Sequence, residues 1–282
     1  MRSSRSQCGR SACRLPALQA GSASGAAGWI GALALSCVLL LSWGGAAVAA
    51  PSADAAQLFL QGNDHYEAGQ YAQAAAAYRR CYEAGFRGAD VLYNLGNAYA
   101  RQEQIGLALA AYHGARRLAP RDPDLLFNIQ HVASLRAEPI PPLPRGWLAT
   151  IGETFVTRHT LNELTIVALC ALLAAALLGV CALRRRRTSL RLAIALAAAI
   201  TLTCLAWVAV YSRYSADYLH PRAFVAVAST TMRSGPGEHF EVTGTLPDGA
   251  AVTPVTDSGL WVDVKLETGK RAWVRQSDLE RR

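Results

Sequence analysis

Leu164–Leu183 and Leu192–Tyr211 each run for twenty residues without a charged side chain. A helix of that length is about 30 Å long, the thickness of a bilayer's hydrocarbon core. Helices buried in a soluble core usually keep a polar stripe, and neither stretch has one. The pattern predicts two transmembrane helices, which confines every other part of the chain to one side of a membrane or the other. The gap between them, residues 184–191, holds Arg184, Arg185, Arg186, Arg187 and Arg191. Arginines in a short loop stay on the cytoplasmic side, so these five are read as topology determinants. Contact with lipid headgroups is a consequence of that placement. Residues before 164 and after 211 are then expected outside the cytoplasm. Ala171, Ala175 and Gly179 recur every four residues, as do Ala195, Ala199 and Thr203, which predicts a hairpin packed along those positions.

The formal charge of +8 does not point to nucleic acid. Residues 51–137 carry eight basic and eight acidic side chains, and residues 222–282 again carry eight of each. Most of the excess lies in the 184–191 gap and at Arg2, Arg5, Arg10 and Arg14. Those four precede an apolar stretch from Trp29 to Trp43 and then "GGAAVAAPS", the order of a secretory signal over residues 1–50.

Between the signal and the apolar pair, residues 51–137 repeat themselves at an offset of 34. Gly62 matches Gly96, Leu58 matches Leu92, Ala74 matches Ala108 and Tyr78 matches Tyr112. A helix–turn–helix unit of that period is the tetratricopeptide signature, and "LYNLGNAYARQEQIGLALAAYHGARRLAP" fits it closely. The first copy is weaker: His65 replaces the aromatic of Tyr99, and Phe86 stands where Pro120 does. After Pro120, "DPDLLFNIQHVASLRAE" reads as a closing helix. Repeat stacks bind in a groove lined by their first helices, and Asn63, Tyr66, Asn97, Arg101 and His131 are its candidates by position. Asparagine and arginine there suit an extended segment or a terminal carboxylate, and replacing Asn97 and Arg101 by alanine is expected to leave the fold intact.

Residues 138–163 begin with a Pro-rich extended spacer, "EPIPPLPRGW" being its core. Trp147, Ile151 and Phe155 then share one helical face, as in a helix lying at a membrane surface. Thr160 and Glu163 have capping-box spacing at the entry to the first membrane helix.

From 222 to 282 the pattern changes to short alternating runs, "AFVAV", "VTGTL", "AAVTPV", "WVDVKL" and "AWV", divided by Gly-rich turns. That predicts a small closed all-β barrel. "MRSGPG…LPDGAAV…GLWVDVKL…GKRAWVRQSDL" resembles the bacterial SH3 domain, with Gly235 and Gly237 expected to supply turn conformations. Arg233, Trp261 and Trp273 are its candidate partner-binding residues, the tryptophans being core packing first and ligand contacts second.

No catalytic constellation is present. The six histidines lack metal-ligand spacing, and neither a nucleophile elbow nor a phosphate loop occurs, so no metal, cofactor or enzymatic activity is expected. Cys81 is the one cysteine expected to face an oxidising compartment, at a repeat position usually held by a buried alanine.

The combined order of signal, repeats, Pro-rich linker, two-helix hairpin and SH3-like barrel resembles the BatE-type membrane proteins of bacterial aerotolerance operons. That resemblance implies a multidomain, non-enzymatic adaptor of the inner membrane with its folded domains in the periplasm. It also implies membrane-anchored von Willebrand factor A-type partners and a cytosolic MoxR-type AAA ATPase. A cell-wall reading, in which the barrel binds peptidoglycan or regulates a wall hydrolase, is the alternative.

Overall fold

The computed structural model describes residues 53–136, 146–185 and 189–281. The stretch expected to be a secretory signal, most of the Pro-rich spacer, and Arg186 and Arg187 lie outside the described residues.

Five helices come first: α1 (Ala53–Glu67), α2 (Tyr71–Glu83), α3 (Ala89–Ala100), α4 (Ile105–Leu118) and α5 (Pro123–Ser134). Each packs on the next around a core of Tyr78, Leu92, Leu95, Leu109, Tyr112 and Leu125. One device is built twice. A Cβ added to Gly62 would lie 2.5 Å from the Tyr78 ring, and one added to Gly96 would lie 2.5 Å from the Tyr112 ring. Only glycine lets each tyrosine lie flat on the neighbouring helix, which accounts for the glycines that recur at an offset of 34. Cys81 is buried and donates its thiol to the Ala55 carbonyl at 3.1 Å. Asp122 caps α5 by accepting from Asp124 N and Leu125 N, with Pro123 in the first turn where its missing N–H costs nothing.

Next is α6 (Trp147–Arg158), on which Trp147, Ile151 and Phe155 are all exposed. The expected capping box follows: Thr160 Oγ1 accepts from Glu163 N at 3.2 Å, and Thr160 N donates back to the Glu163 carboxylate at 2.9 Å. It opens α7 (Leu161–Arg184), which packs along α8 (Leu190–Tyr214), and a π-helical turn, Ser215–Leu219, continues α8. Both helices are long and apolar enough to cross a membrane. Their seam keeps Ala175 and Thr203 of the expected positions but not the whole stripe. Ala195 is exposed and a Cβ on Gly179 would meet nothing, whereas Leu164, Ala168, Ala175 and Thr203 are buried. The observed contact follows spacings of three and four, as side-chain ridges seated in grooves require, and a strict four-residue stripe winds out of such a seam.

The C-terminal region is one antiparallel sheet of seven strands: β1 (Ala223–Val225), β2 (Ser229–Arg233), β3 (Val242–Pro247), β4 (Ala251–Ser258), β5 (Trp261–Leu266), β6 (Arg271–Arg275) and β7 (Leu279–Arg281). Their order is β3-β2-β6-β5-β4-β1-β7. Side chains from β1, β3, β4, β5 and β6 meet in one core, which includes Val225, Val252, Val262, Val264 and Val274. Strands β2 and β7 were not anticipated: "STTMR" is mostly polar, and "LER" is too short to show alternation.

All three residues of β1 are buried. Neighbouring strand residues point to opposite faces, so Ala223 and Val225 enter the sheet's core while Phe224 enters the helical core. Phe224 meets His113 of α4, ring centroids 4.9 Å apart. A Cβ on Gly106 would fall 1.7 Å from the Val225 carbonyl oxygen, so α4 and β1 touch backbone to backbone. Asp248, in the β3–β4 turn, then reaches the start of α4. Its carboxylate accepts from Ile105 N at 3.0 Å and from Gly106 N at 2.8 Å. Gln104, the local cap residue, makes no side-chain cap, so the sheet supplies both the acceptor and the negative charge that a helix N-terminus favours. Gly249 follows at φ +76°, a left-handed conformation suited to glycine, and a Cβ there would press on Ile105.

Candidate partner-binding surfaces

Asn63 and Asn97, expected as groove ligands, spend their carbonyl oxygens inside the fold. Asn63 Oδ1 accepts from Tyr78 Oη at 2.8 Å and from Asn94 Nδ2 at 3.3 Å. Asn97 Oδ1 accepts from Tyr112 Oη at 2.7 Å and from Asn128 Nδ2 at 3.1 Å. Each asparagine thus anchors the hydroxyl of the tyrosine that lies over the glycine beside it. With both lone pairs used, each carboxamide can meet a partner only through its Nδ2 amide. This corrects the expectation that Asn97 is replaceable without structural cost. Burial raises the Tyr112 hydroxyl well above the ordinary tyrosine range and pushes Tyr78 up to about 12, so both stay protonated donors.

Arg101 and Tyr66 are brought together. Arg101 is exposed, donates to Tyr71 Oη at 2.7 Å and sits 4.9 Å from the centre of that ring. Tyr66 meets Tyr71 edge to face at 5.3 Å. The three form a cationic and aromatic corner beside the asparagine line, the two tyrosines stiffening the arginine that would meet an acidic group. His131 is separate: it stacks on exposed Phe127 along α5, ring centroids 6.2 Å apart.

On the sheet, Trp261 is buried between two guanidinium groups, Arg233 at 5.8 Å and Arg275 at 5.7 Å from its ring. Arg233 donates to the Glu238 and Phe240 carbonyls at 2.6 and 2.8 Å, which ties it to the 234–241 loop. Arg275 pairs with Glu238. Gly235 and Gly237 lie in the bend that follows β2, as expected, with Phe240 N donating to the Gly237 carbonyl at 3.3 Å, and neither has a positive φ. They are glycines because the rings of Phe240 and His239 pack on them, where a Cβ would come within 2.4 and 2.6 Å. Trp273 is half-buried on β6, opposite Arg233 of β2 and Asp263 of β5. Beside Trp261 opens a hollow of about 540 Å³ bordered by Glu238, Leu260, Arg275, Gln276 and Ser277. Leu260 at its lip is 81% exposed, an apolar contact that residue-by-residue reading missed because it falls in a turn.

Of the topology arginines, Arg184 ends α7, Arg185 follows it and Arg191 lies in the first turn of α8, all exposed. Among the described residues no group of three metal-ligating side chains comes together.

No curated protein matches the chain. A family model for the bacterial SH3 domain matches residues 228–280. The match starts just after β1, the strand that carries the contact with α4. Residues 228–280 are thus a bacterial SH3 domain, which takes in β2 to β6 and most of β7.

Proposed function

We propose that this chain is a non-enzymatic membrane scaffold, holding one protein partner in its helical groove and a second on its SH3 domain. The observation that carries the reading is the α4–β1 junction, closed by Phe224, the Gly106 contact and the Asp248 cap. A junction of this kind fixes the orientation of two binding faces, which is what a scaffold requires and a loosely tethered pair of modules lacks.

Three further features support parts of this reading. The twice-used glycine, tyrosine and asparagine unit supports two tetratricopeptide repeats closed by α5. The exposed Ile166, Leu172, Leu177, Ile194, Leu202 and Leu205 support a membrane hairpin, since keeping such surface in water costs about 25 cal/mol per Å². With the arginine-rich gap in the cytoplasm, the repeats and the SH3 domain lie in the periplasm. Arg101, Tyr66 and the asparagine amides suit an extended acidic segment, carboxylate on the guanidinium and backbone carbonyls on the amides. The BatE-like order of elements makes a membrane-anchored von Willebrand factor A-type protein the partner proposed for the groove.

The cell-wall reading is favoured by one observation, the hollow beside Trp261 with Leu260 at its lip, in a domain of the bacterial SH3 class. A photo-crosslinking residue at position 101 of the membrane-embedded chain, with mass spectrometry of the product, separates the two. Capture of a membrane-anchored protein that no longer co-purifies with Arg101→Ala supports the scaffold. Unchanged co-purification removes the groove from the mechanism, and sedimentation of the protein with purified wall, abolished by Leu260→Asp, replaces the scaffold by wall binding.

A further inference from the structure

Four arginines from three parts of the chain converge where the helical region meets the end of α8. Arg116 and Arg117 lie in the last turn of α4, Arg213 near the end of α8, and Arg222 just before β1. All four border one cavity of about 680 Å³, within the range of small-ligand sites. Two carboxylates also reach it, Glu153 of α6 and Asp217 of the π-helical turn. Asp217 is already engaged, its carboxylate pairing with Arg213 at 2.9 Å and its carbonyl accepting from Arg117 at 3.0 Å. Four cations against two anions leave the cavity at +2 with His113 neutral. Burial, then Arg222 and Arg213, hold the Arg116 guanidinium below its ordinary range. Like charges crowded together in this way call for an anion among them.

Much of the rest of the wall is hydrocarbon, chiefly Val156 of α6, Val167 of α7 and Leu202, Leu205 and Val208 of α8. The two kinds of lining are separated along one helix. Arg213 lies two residues past the uncharged stretch that ends at Tyr211, and Leu202 lies eleven residues before Arg213, about 16 Å deeper along the axis. The basic end is therefore level with the edge of the bilayer and the apolar end is inside it. A free phosphate would match the first and leave the second bare, and a zwitterionic lipid would leave the charge uncompensated.

We infer that this cavity binds an anionic phospholipid, with its phosphate among Arg116, Arg117, Arg213 and Arg222 and one acyl chain along Leu202 and Leu205. Guanidinium groups suit the phosphate because they donate paired hydrogen bonds and hold their charge at low polarity. The bound lipid would bridge α4, α8 and the segment entering β1, fastening the helical region and the SH3 domain to the bilayer surface. The inference rests on the membrane reading of α7 and α8.

The test uses the full chain purified in detergent, native mass spectrometry to count retained lipid, and titration with phosphatidylglycerol, phosphatidylcholine or inorganic phosphate. The expected result is one phosphatidylglycerol held at least tenfold more tightly than phosphatidylcholine and not displaced by millimolar phosphate. Arg116→Ala with Arg222→Ala should remove it, while Lys265→Ala with Lys270→Ala, the same loss of charge at exposed positions of the sheet outside the cavity, should not. Should the arginine pair prove necessary for folding, Leu205→Trp fills the apolar half with every charge in place and should displace the lipid equally. Equal binding of the two lipids, displacement by phosphate, or retention in both cavity variants overturns the site. A chain that stays soluble and monomeric without detergent overturns the membrane reading itself, a separate outcome.

Discussion

The Asp248 cap gives the sharpest test of the junction, because a side chain from the sheet completes a helix 143 residues away in sequence. Asp248→Ala removes two hydrogen bonds, to Ile105 N and Gly106 N, and nothing on α4 replaces them, since Gln104 makes no side-chain cap. Loss of an N-cap costs about 1 kcal/mol, and each enclosed N–H left without an acceptor adds on the order of 1 kcal/mol. The expected loss is about 2–3 kcal/mol, on the order of a thirtyfold to 160-fold shift in the unfolding equilibrium, read by thermal and denaturant unfolding of the detergent-solubilised chain. Asp248→Asn keeps one of the two oxygen acceptors and should recover about half. The sign of the charge term supports this. Burial raises the Asp248 carboxyl above its usual 3.8, outweighing the N–H bonds from Gly106, Ile105 and Gly249 that lower it. An acid raised in the fold takes up protons there more readily than in the unfolded chain, so its contribution to stability falls as pH rises from 3.8 through the folded value. Asparagine cannot ionise and escapes that loss. If Asp248→Ala unfolds within 0.5 kcal/mol of the parent, the cap is not holding the junction and the fixed orientation of the two faces loses its support.

Gly96→Ala places a methyl 2.5 Å from the Tyr112 ring and should cost about 1–3 kcal/mol of overpacking, whereas Gly152→Ala, with open space around it on α6, should be neutral or gain up to about 1 kcal/mol; paired melting curves decide. Asn97→Ala strands the Tyr112 hydroxyl and leaves the Asn128 amide its bond to Tyr93 Oη, and is expected to lose about 1–3 kcal/mol, measured by denaturant unfolding. Burial first, then Arg116, Arg222, Arg136 and Arg117, hold His113 well below the ordinary histidine value of 6.5. A base lowered in the fold contributes stability above its unfolded pKa and loses it on acidification, so stability should fall below pH 6.5 by up to about 1.4 kcal/mol per pH unit, and His113→Phe should flatten that slope in a pH series of melts.

Features written in a short window were legible in the sequence. The uncharged stretches, the Thr160–Glu163 capping box and the face carrying Trp147, Ile151 and Phe155 depend on helix period or on neighbours three or four residues away. The glycine and tyrosine positions repeated at 34 were legible because one packing contact was written twice. The site was less so. Asn63 and Asn97 looked like ligands by position, but whether a carboxamide faces a partner or a neighbouring hydroxyl depends on where Tyr78 and Tyr112 fall, fifteen residues on.

What the chain could not state locally is where its two folded regions meet. Phe224 sits in a three-residue strand whose alternation looks the same whether one face is covered or both. Asp248 sits in an ordinary turn, and Gly106 is one glycine among 23. The meaning of each comes from a surface more than a hundred residues away, and such pairings are selected by the shape and burial of the assembled molecule. Sequence determined the helices, the alternating strands and the two long apolar stretches, because each is fixed by the period of its own side chains. Tertiary structure alone decided that α4 and β1 share a core, and that four arginines from separate elements border one cavity.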